Sequence, residues 1–235
     1  MPRVVVQAGG LGSRLRPYTQ VLPKPLMPVG DMPILEIVVR QLASAGAERI
    51  TITLGHLGSL IESFFGDGAK WGVRIDYCWE DKPLGTIGAV AQVADLNGPF
   101  LVMNGDILTD MDYGEFYRAH LETDADVTIS VCRRTVEVTL GVLDLDESQR
   151  VVGFREKPSF DYYASMGIYV LTPQVLEFIP KRRYYGFDML MGDLLAGKAK
   201  AQARIYDGIW LDIGRPEDHE QATALFVENR ERFLP

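Results

Sequence analysis

Residues 3–28 read RVVVQAGGLGSRLRPYTQVLPKPLMP. The first five, Arg3–Gln7, are rich in β-branched side chains and predict a strand. That strand runs directly into Ala8, Gly9, Gly10, Leu11, Gly12, Ser13, Arg14 and Leu15, a glycine-rich turn ending in a hydroxyl and a cation. Glycines let backbone N–H groups approach phosphate oxygens, and successive amides form an anion-binding concavity. A plain tight turn after a strand is the competing reading. Two familiar nucleotide loops are excluded: no Gly-Lys-Ser/Thr follows, and Leu15 stands where a dinucleotide fingerprint needs its third glycine.

Working outward, Ile50–Leu54, Val73–Trp79 and Phe100–Asn104 repeat the short β-branched or aromatic pattern, each followed by Gly or Pro signals. Between them, Ile34–Ser44, Ser59–Phe65 and Thr86–Val93 carry the three-to-four spacing of helices lying on a sheet. Strand followed by helix, repeated, predicts an α/β fold: a Rossmann-like, mixed but mostly parallel sheet flanked by helices. After residue 125 the pattern changes. Val127–Arg133, Leu140–Leu145, Val151–Arg155 and Met166–Leu171 follow too closely for intervening helices, so the second half adds antiparallel strands. Phe187–Leu195 and Pro216–Arg232 complete the chain as helices. With no repeat and no Ser/Gly-rich linker, residues 1–235 read as a single domain.

Composition narrows the function. With 47% hydrophobic and 24% charged residues the chain is neither disordered nor a disulfide scaffold. Its longest uncharged stretch, 15 residues from Tyr162 to Leu176, contains Gly167 and Pro173 and is too short to span a bilayer. Gln7 and two glycines interrupt the N-terminal apolar run before it reaches signal-peptide length, so the expected location is cytoplasmic, with no membrane partner. Cys78 and Cys132 lack metal or redox spacing and read as buried bystanders. A net charge of −8 argues against nucleic-acid binding. Yet residues 1–30 hold Arg3, Arg14, Arg16 and Lys24 and no acid, leaving 20 basic against 32 acidic residues beyond them. A small cationic site on an acidic protein suits a compact polyanion.

The segment from Ala8 to Pro28 resembles the signature of the sugar-phosphate nucleotidyltransferases, AGG-x-G-[ST]-R-L, then P-x-T, then PKP-[LM]-x-P. Asn104-Gly105-Asp106, Glu156-Lys157-Pro158, Gly167-Ile168-Tyr169 and Trp210-Leu211-Asp212-Ile213-Gly214 are similar to later blocks of that family, in the same order. The resemblance implies an enzyme that joins a nucleoside triphosphate to a sugar 1-phosphate and releases pyrophosphate, with Mg²⁺. It implies a nucleotide site formed by Ala8, Gly9, Gly10, Gly12 and Ser13, with Arg14 on the β and γ phosphates and Lys24 near the α phosphate. Asp106 and Asp212 would hold the metal, with Asp106 also counted as catalytic. Lys157 would grip the sugar phosphate and Glu156 the sugar hydroxyls, while Gly141 lets the sugar approach a strand. Ser165 stands where many members carry an Asn that contacts the sugar, which leaves the sugar open between mannose, a manno-heptose and others.

The segment Glu80-Asp81-Lys82-Pro83-Leu84-Gly85-Thr86 is similar to the branch of the family that forms GDP-mannose. There Gly85 is expected to leave room for a purine, with Pro83 and Thr86 beside it, and Glu80 to accept from guanine N1–H and N2–H. GTP is therefore the expected donor; uridylyl, thymidylyl or cytidylyl transfer is the alternative. No nucleophilic side chain is required, because a phosphate monoester has its second pKa near 6 and is already mostly dianionic at neutral pH. His56, His120 and His219 read as structural or surface residues.

Two rival functions remain. A nucleotide-sugar glycosyltransferase often carries Asp-x-Asp for its metal, and Asp110-Met111-Asp112 has that spacing. Asp112 reads better as a helix N-cap, with Glu115 closing a capping box. A catalytically silent nucleotide-sugar-binding relative would be expected to have lost Arg14, Lys24, Asp106 or Asp212, and all four are present. A homodimer is the assembly left open.

Overall fold

The computed structural model describes residues 1–234. The chain opens with β1 (Arg3–Gln7), passes the glycine turn, forms the short pair β2 (Pro28–Val29) and β3 (Met32–Pro33), and enters α1 (Ile34–Ser44). Then come β4 (Arg49–Leu54), α2 (Gly58–Phe65), β5 (Arg74–Trp79), β6 (Phe100–Asn104), β7 (Ile107–Thr109) and α3 (Tyr113–Leu121). The second half holds β8 (Val127–Glu137), β9 (Val142–Leu145), β10 (Val151–Arg155) and β11 (Ser159–Leu171). It closes with α4 (Phe187–Ala196), β12 (Ala201–Ile205), β13 (Trp210–Asp212), α5 (Pro216–Glu228) and α6 (Arg230–Phe233).

Seven strands form one sheet in the order β12-β8-β11-β6-β1-β4-β5. β6, β1, β4 and β5 run parallel, as do β12 and β8, while β11 enters antiparallel between β6 and β8. The mostly parallel sheet with added antiparallel strands is thus as expected. Strand alternation separates two cores: Val4 and Val6 pack beneath α1 against Leu35, Val38 and Leu42, and Val5 faces Val102, Tyr169 and Leu190 on the other side. Complete burial of all three valines is what a doubly covered sheet requires. Ile34 and Ile37 of α1 turn to a third core, where Leu15, Ile213 and Phe226 tie the N-terminal turn to the C-terminal helices.

Several boundaries differ from the sequence reading. Thr86–Val93 holds only a 3-10 turn over Gly88–Gln92. Its leading N–H groups, on Ile87 and Gly88, are both taken by the Tyr185 carbonyl at 3.3 and 3.2 Å, so the backbone is pinned to another loop before a helix can start. The C-terminal helix breaks at Asn229, whose Nδ2 bonds the Leu225 carbonyl at 3.0 Å, and resumes as α6. β8 and β11 extend well past their apolar halves into an exposed ribbon, and a bulge between Ser165 and Tyr169 resets their register. β12, with the weakly apolar sequence AQARI, was not anticipated.

Asp112 does cap α3, accepting from Glu115 N–H at 2.8 Å. The second half of the expected capping box is missing, because the Glu115 carboxylate instead pairs with Arg204 at 2.8 Å. Of the two cysteines, Cys132 is buried and Cys78 only half-buried. Among the described residues no helix is long and apolar enough to cross a membrane.

Candidate active site

A cleft of about 380 Å³ opens at the carboxyl ends of the parallel strands, where open α/β sheets bind ligands. Its floor is a polar row. Gln7 of β1 lies in register with Thr53 of β4 on one side and Asn104 of β6 on the other, and all three line the cleft. Period-two alternation puts Gln7 and Asn104 on the face of Val5 and Val102, so two apolar columns each end in an amide.

The charges gather at one end. Lys24, nearly buried, forms an ion pair with Asp106 through Oδ2, while Asp106 Oδ1 is buried and has no hydrogen-bond partner. Asp106 immediately precedes β7, which pairs antiparallel with β13 so that Ile107 faces Asp212, and Ile213 N–H bonds the Asp106 carbonyl at 3.2 Å. The strand pair therefore brings the two carboxylates together from opposite halves of the chain. Burial, and then the negative charge of Asp106, push the Asp212 pKa up, while Lys24 and Arg14 pull it down. Arg14 closes the site from the glycine loop: its guanidinium lies 3.2–3.3 Å from where a side chain on Gly214 would begin.

Among the described residues no cluster of three or more His, Cys, Asp or Glu side chains forms a metal cage. Two carboxylates with one orphaned buried oxygen suit a hard cation that completes its coordination with phosphate oxygens and water.

Within the loop, Gly10 faces open space in the cleft. Gly9 lies under Glu80, so close that a Cβ there would fall 2.3 Å from Glu80 Oε1. Gly12 adopts φ +59° and packs against Thr19 and Lys24. Ser13 begins a short turn over Ser13–Leu15. Ala8 is buried and extends the sheet, its N–H bonding the Thr53 carbonyl at 3.1 Å.

The opposite wall is the loop after β5. Glu80 accepts from Leu84 N–H at 2.9 Å, and burial raises its pKa. Pro83, Gly85 and Thr86 line the cleft with it. Gly85, expected to make room for a base, also has a backbone reason to be glycine. Gly85 has φ +82°, and a Cβ there would lie 2.6 Å from the Tyr185 carbonyl oxygen, so the glycine is required by its backbone neighbour. Thr86 Oγ1 accepts from Phe187 N–H at 2.8 Å and so anchors the start of α4.

Gly141, Glu156, Lys157 and Ser165 lie outside this cleft's lining, on or beside the exposed ribbon. Gly141 is near Glu156: a Cβ there would be 3.3 Å from Oε2. Lys157 holds φ +43°, an uncommon conformation for a lysine. Ser165 sits at the β11 bulge with Oγ 3.2 Å from the Tyr169 hydroxyl.

Asp110 is satisfied elsewhere, by Tyr206 at 2.5 Å, Ile209 N–H at 2.7 Å and Arg232. Asp-x-Asp is therefore not a metal motif here. His120 is buried against Thr128 at 2.8 Å, His219 donates to the Pro28 carbonyl at 2.7 Å, and His56 is exposed. The sequence reading missed Gln7, Thr53, Asn104 and Tyr184 in the cleft. The available signal for Gln7 and Asn104 was a polar side chain closing an apolar strand, and Thr53 sits one residue before the end of β4.

Comparison with known proteins agrees with this geometry. Residues 3–229 match the profile of the nucleotidyl transferase family. The chain belongs to that family. The chain is 35% identical to the mannose-1-phosphate guanylyltransferase of Mycobacterium tuberculosis over 95% of its own length and 64% of that relative. It is 32% identical to the UTP–glucose-1-phosphate uridylyltransferase of Synechocystis over 94% of the chain and 62% of that relative. The chain thus spans less than two thirds of the length of either. Among solved structures it is similar to HddC from Yersinia pseudotuberculosis, with TM-score 0.74 and 29% identity, covering 96% of this chain and all of that one.

Proposed function

We propose that the protein transfers a nucleoside monophosphate from a triphosphate, GTP, to a mannose- or manno-heptose-type sugar 1-phosphate, forming a nucleoside diphosphate sugar and pyrophosphate. The observation that carries the reading is the convergence of Arg14, Lys24, Asp106 and Asp212 at one end of a cleft that the glycine turn also lines. Attack on the α-phosphorus needs the two phosphates aligned and the charge spread over their oxygens neutralised. Arg14 neutralises the leaving pyrophosphate, and Lys24, freed from Asp106 as the site fills, holds the α-phosphate oxygens. Asp106 and Asp212 would hold Mg²⁺, whose chemistry is that of a Lewis acid and template between phosphates. From the ribbon side, Lys157 grips the phosphate of the sugar 1-phosphate and Glu156 accepts from the sugar hydroxyls. The attacking dianion needs no general base, so displacement is direct.

The guanine assignment is supported by Glu80, a half-buried carboxylate that can accept two adjacent N–H donors. The two relatives compared above differ, one being named a guanylyltransferase and the other a uridylyltransferase. The same reading puts the enzyme in the cytoplasm, with neither nucleic acid nor membrane among its partners. The test is pyrophosphate release from a panel of nucleoside triphosphates crossed with sugar 1-phosphates. GTP should exceed UTP, dTTP and CTP by at least about tenfold in kcat/KM, roughly 1.4 kcal/mol. Preference for a pyrimidine triphosphate overturns the base, and no release with any pair overturns the reaction.

A further inference from the structure

Gln7 ends an apolar strand with an amide that the fold does not use. Its Nε2 is buried and without a hydrogen-bond partner, although the side chain lines the cleft. An unpaired buried donor costs about 1–3 kcal/mol, so a fold under no other demand would place an apolar side chain here. Val5, two residues earlier on the same face, is such a side chain. That face also carries Ile87 and Tyr185, which hold the Leu84–Thr86 wall through backbone bonds from Tyr185 N–H to Leu84 O at 2.8 Å and from Ile87 N–H to Tyr185 O at 3.3 Å. Gln7 therefore lies on the sheet face that carries this wall and lines the same cleft as Glu80.

The geometry points to Gln7 as a specificity-determining residue whose amide donates a hydrogen bond to the exocyclic keto oxygen of the nucleobase, next to the ring N–H accepted by Glu80. This rests on the reading above that the base lies at Glu80. A donor beside an acceptor matches a keto oxygen beside an N–H, the pattern of guanine, uracil and thymine. Adenine and cytosine present an amino group beside a bare ring nitrogen, and meet donor with donor and acceptor with acceptor. Gln7 thus separates keto from amino bases. Glu80 separates guanine, with its second donor at N2, from the pyrimidines. A site whose buried polar groups are left unpaired by the wrong base rejects it strongly.

The experiment measures kcat/KM for the wild-type protein and Gln7→Leu with GTP, 6-thio-GTP and ITP. Sulfur is a weak acceptor, so the wild type should favour GTP over 6-thio-GTP by about tenfold, or 1.4 kcal/mol. Gln7→Leu should shrink that ratio to within about twofold by lowering the GTP value, and leave the GTP-to-ITP ratio unchanged, since inosine lacks only the N2 amino group that Glu80 reads. Leucine removes the unpaired donor, so the variant should melt no lower than wild type; the wild-type comparison of GTP with 6-thio-GTP needs no variant at all.

An equal fall for all three triphosphates, or no discrimination against 6-thio-GTP by the wild type, overturns the inference even where GTP still exceeds UTP. A wild-type preference for ATP or CTP overturns it too. If UTP is preferred and 4-thio-UTP shows the same Gln7-dependent penalty, the guanine assignment falls while the role of Gln7 stands.

Discussion

Lys24 and Asp106, 82 positions apart in the chain, are joined by an ion pair that uses only one carboxylate oxygen and leaves the other buried with no partner. Asp212 stands next to them, and burial disfavours its ionised form. The two aspartates therefore differ in what they do for the fold.

That difference gives opposite stabilities for two inactive variants. Asp106→Asn removes the partner of a nearly buried lysine. A fully buried pair broken this way costs about 3–5 kcal/mol, and with Asp106 23% exposed the expected loss is nearer about 2 kcal/mol. For a chain of this length that lowers Tm by roughly 4–8 °C. Asp212→Asn relieves a buried charge beside a like charge, so in EDTA at neutral pH its Tm should rise. Each should still cut turnover by roughly a hundredfold or more, and the double variant should fall little further because both act through one cation. Thermal melts alongside steady-state rates with titrated Mg²⁺ check this. Equal melting shifts of the same sign would show that the asymmetry is not real.

The charged end of the site was legible because each residue sits in a motif whose chemistry needs that residue type: a cation after a glycine turn, an acid after an apolar strand. The polar floor was not. Gln7, Thr53 and Asn104 become one surface only when β4, β1 and β6 align in register, and nothing within a single strand states which neighbour it will take. Tyr184 reaches the cleft because Tyr185 is bonded to Leu84, a contact across about a hundred residues. The sheet itself was readable from its β-branched runs, but AQARI could join as β12 only once β8 offered its free edge.

Glu80 yields a pH-dependent prediction. Burial raises its pKa above the ordinary carboxylate value, so its protonated form is favoured in the fold and its stabilising contribution is present at acid pH and lost as pH rises through the folded value. Glu80→Gln keeps an acceptor for Leu84 N–H and removes the charge, so the variant should melt above wild type at pH 7, with the gap closing on acidification. Base reading should move the other way: wild-type preference for GTP over UTP should decline as pH falls toward that pKa, whereas the variant's smaller preference should stay flat. Melting curves and competition assays across pH 4–8 test both trends. A variant less stable than wild type at pH 7 would mean that the carboxylate supports the loop through its charge.

Gly85 separates a glycine that makes space for a ligand from one that makes space for the chain. Its φ of +82° is a conformation that L side chains rarely adopt, and the nearest obstacle to a Cβ is the Tyr185 carbonyl at 2.6 Å, a backbone atom that cannot swing aside. Backbone strain of this kind costs about 1–3 kcal/mol before any clash is counted, so Gly85→Ala should lose about 3 kcal/mol and lower Tm by roughly 6–12 °C. The same carbonyl accepts the Ile87 and Gly88 N–H bonds, so pushing it away loosens the wall that carries Glu80 and shifts Tyr184 beside it. KM should therefore rise several-fold for GTP and UTP alike, with kcat less affected. Had the glycine made room for a purine, alanine would depress GTP use alone and leave both UTP kinetics and Tm unchanged, so melting and a two-substrate comparison on one variant decide between the two roles.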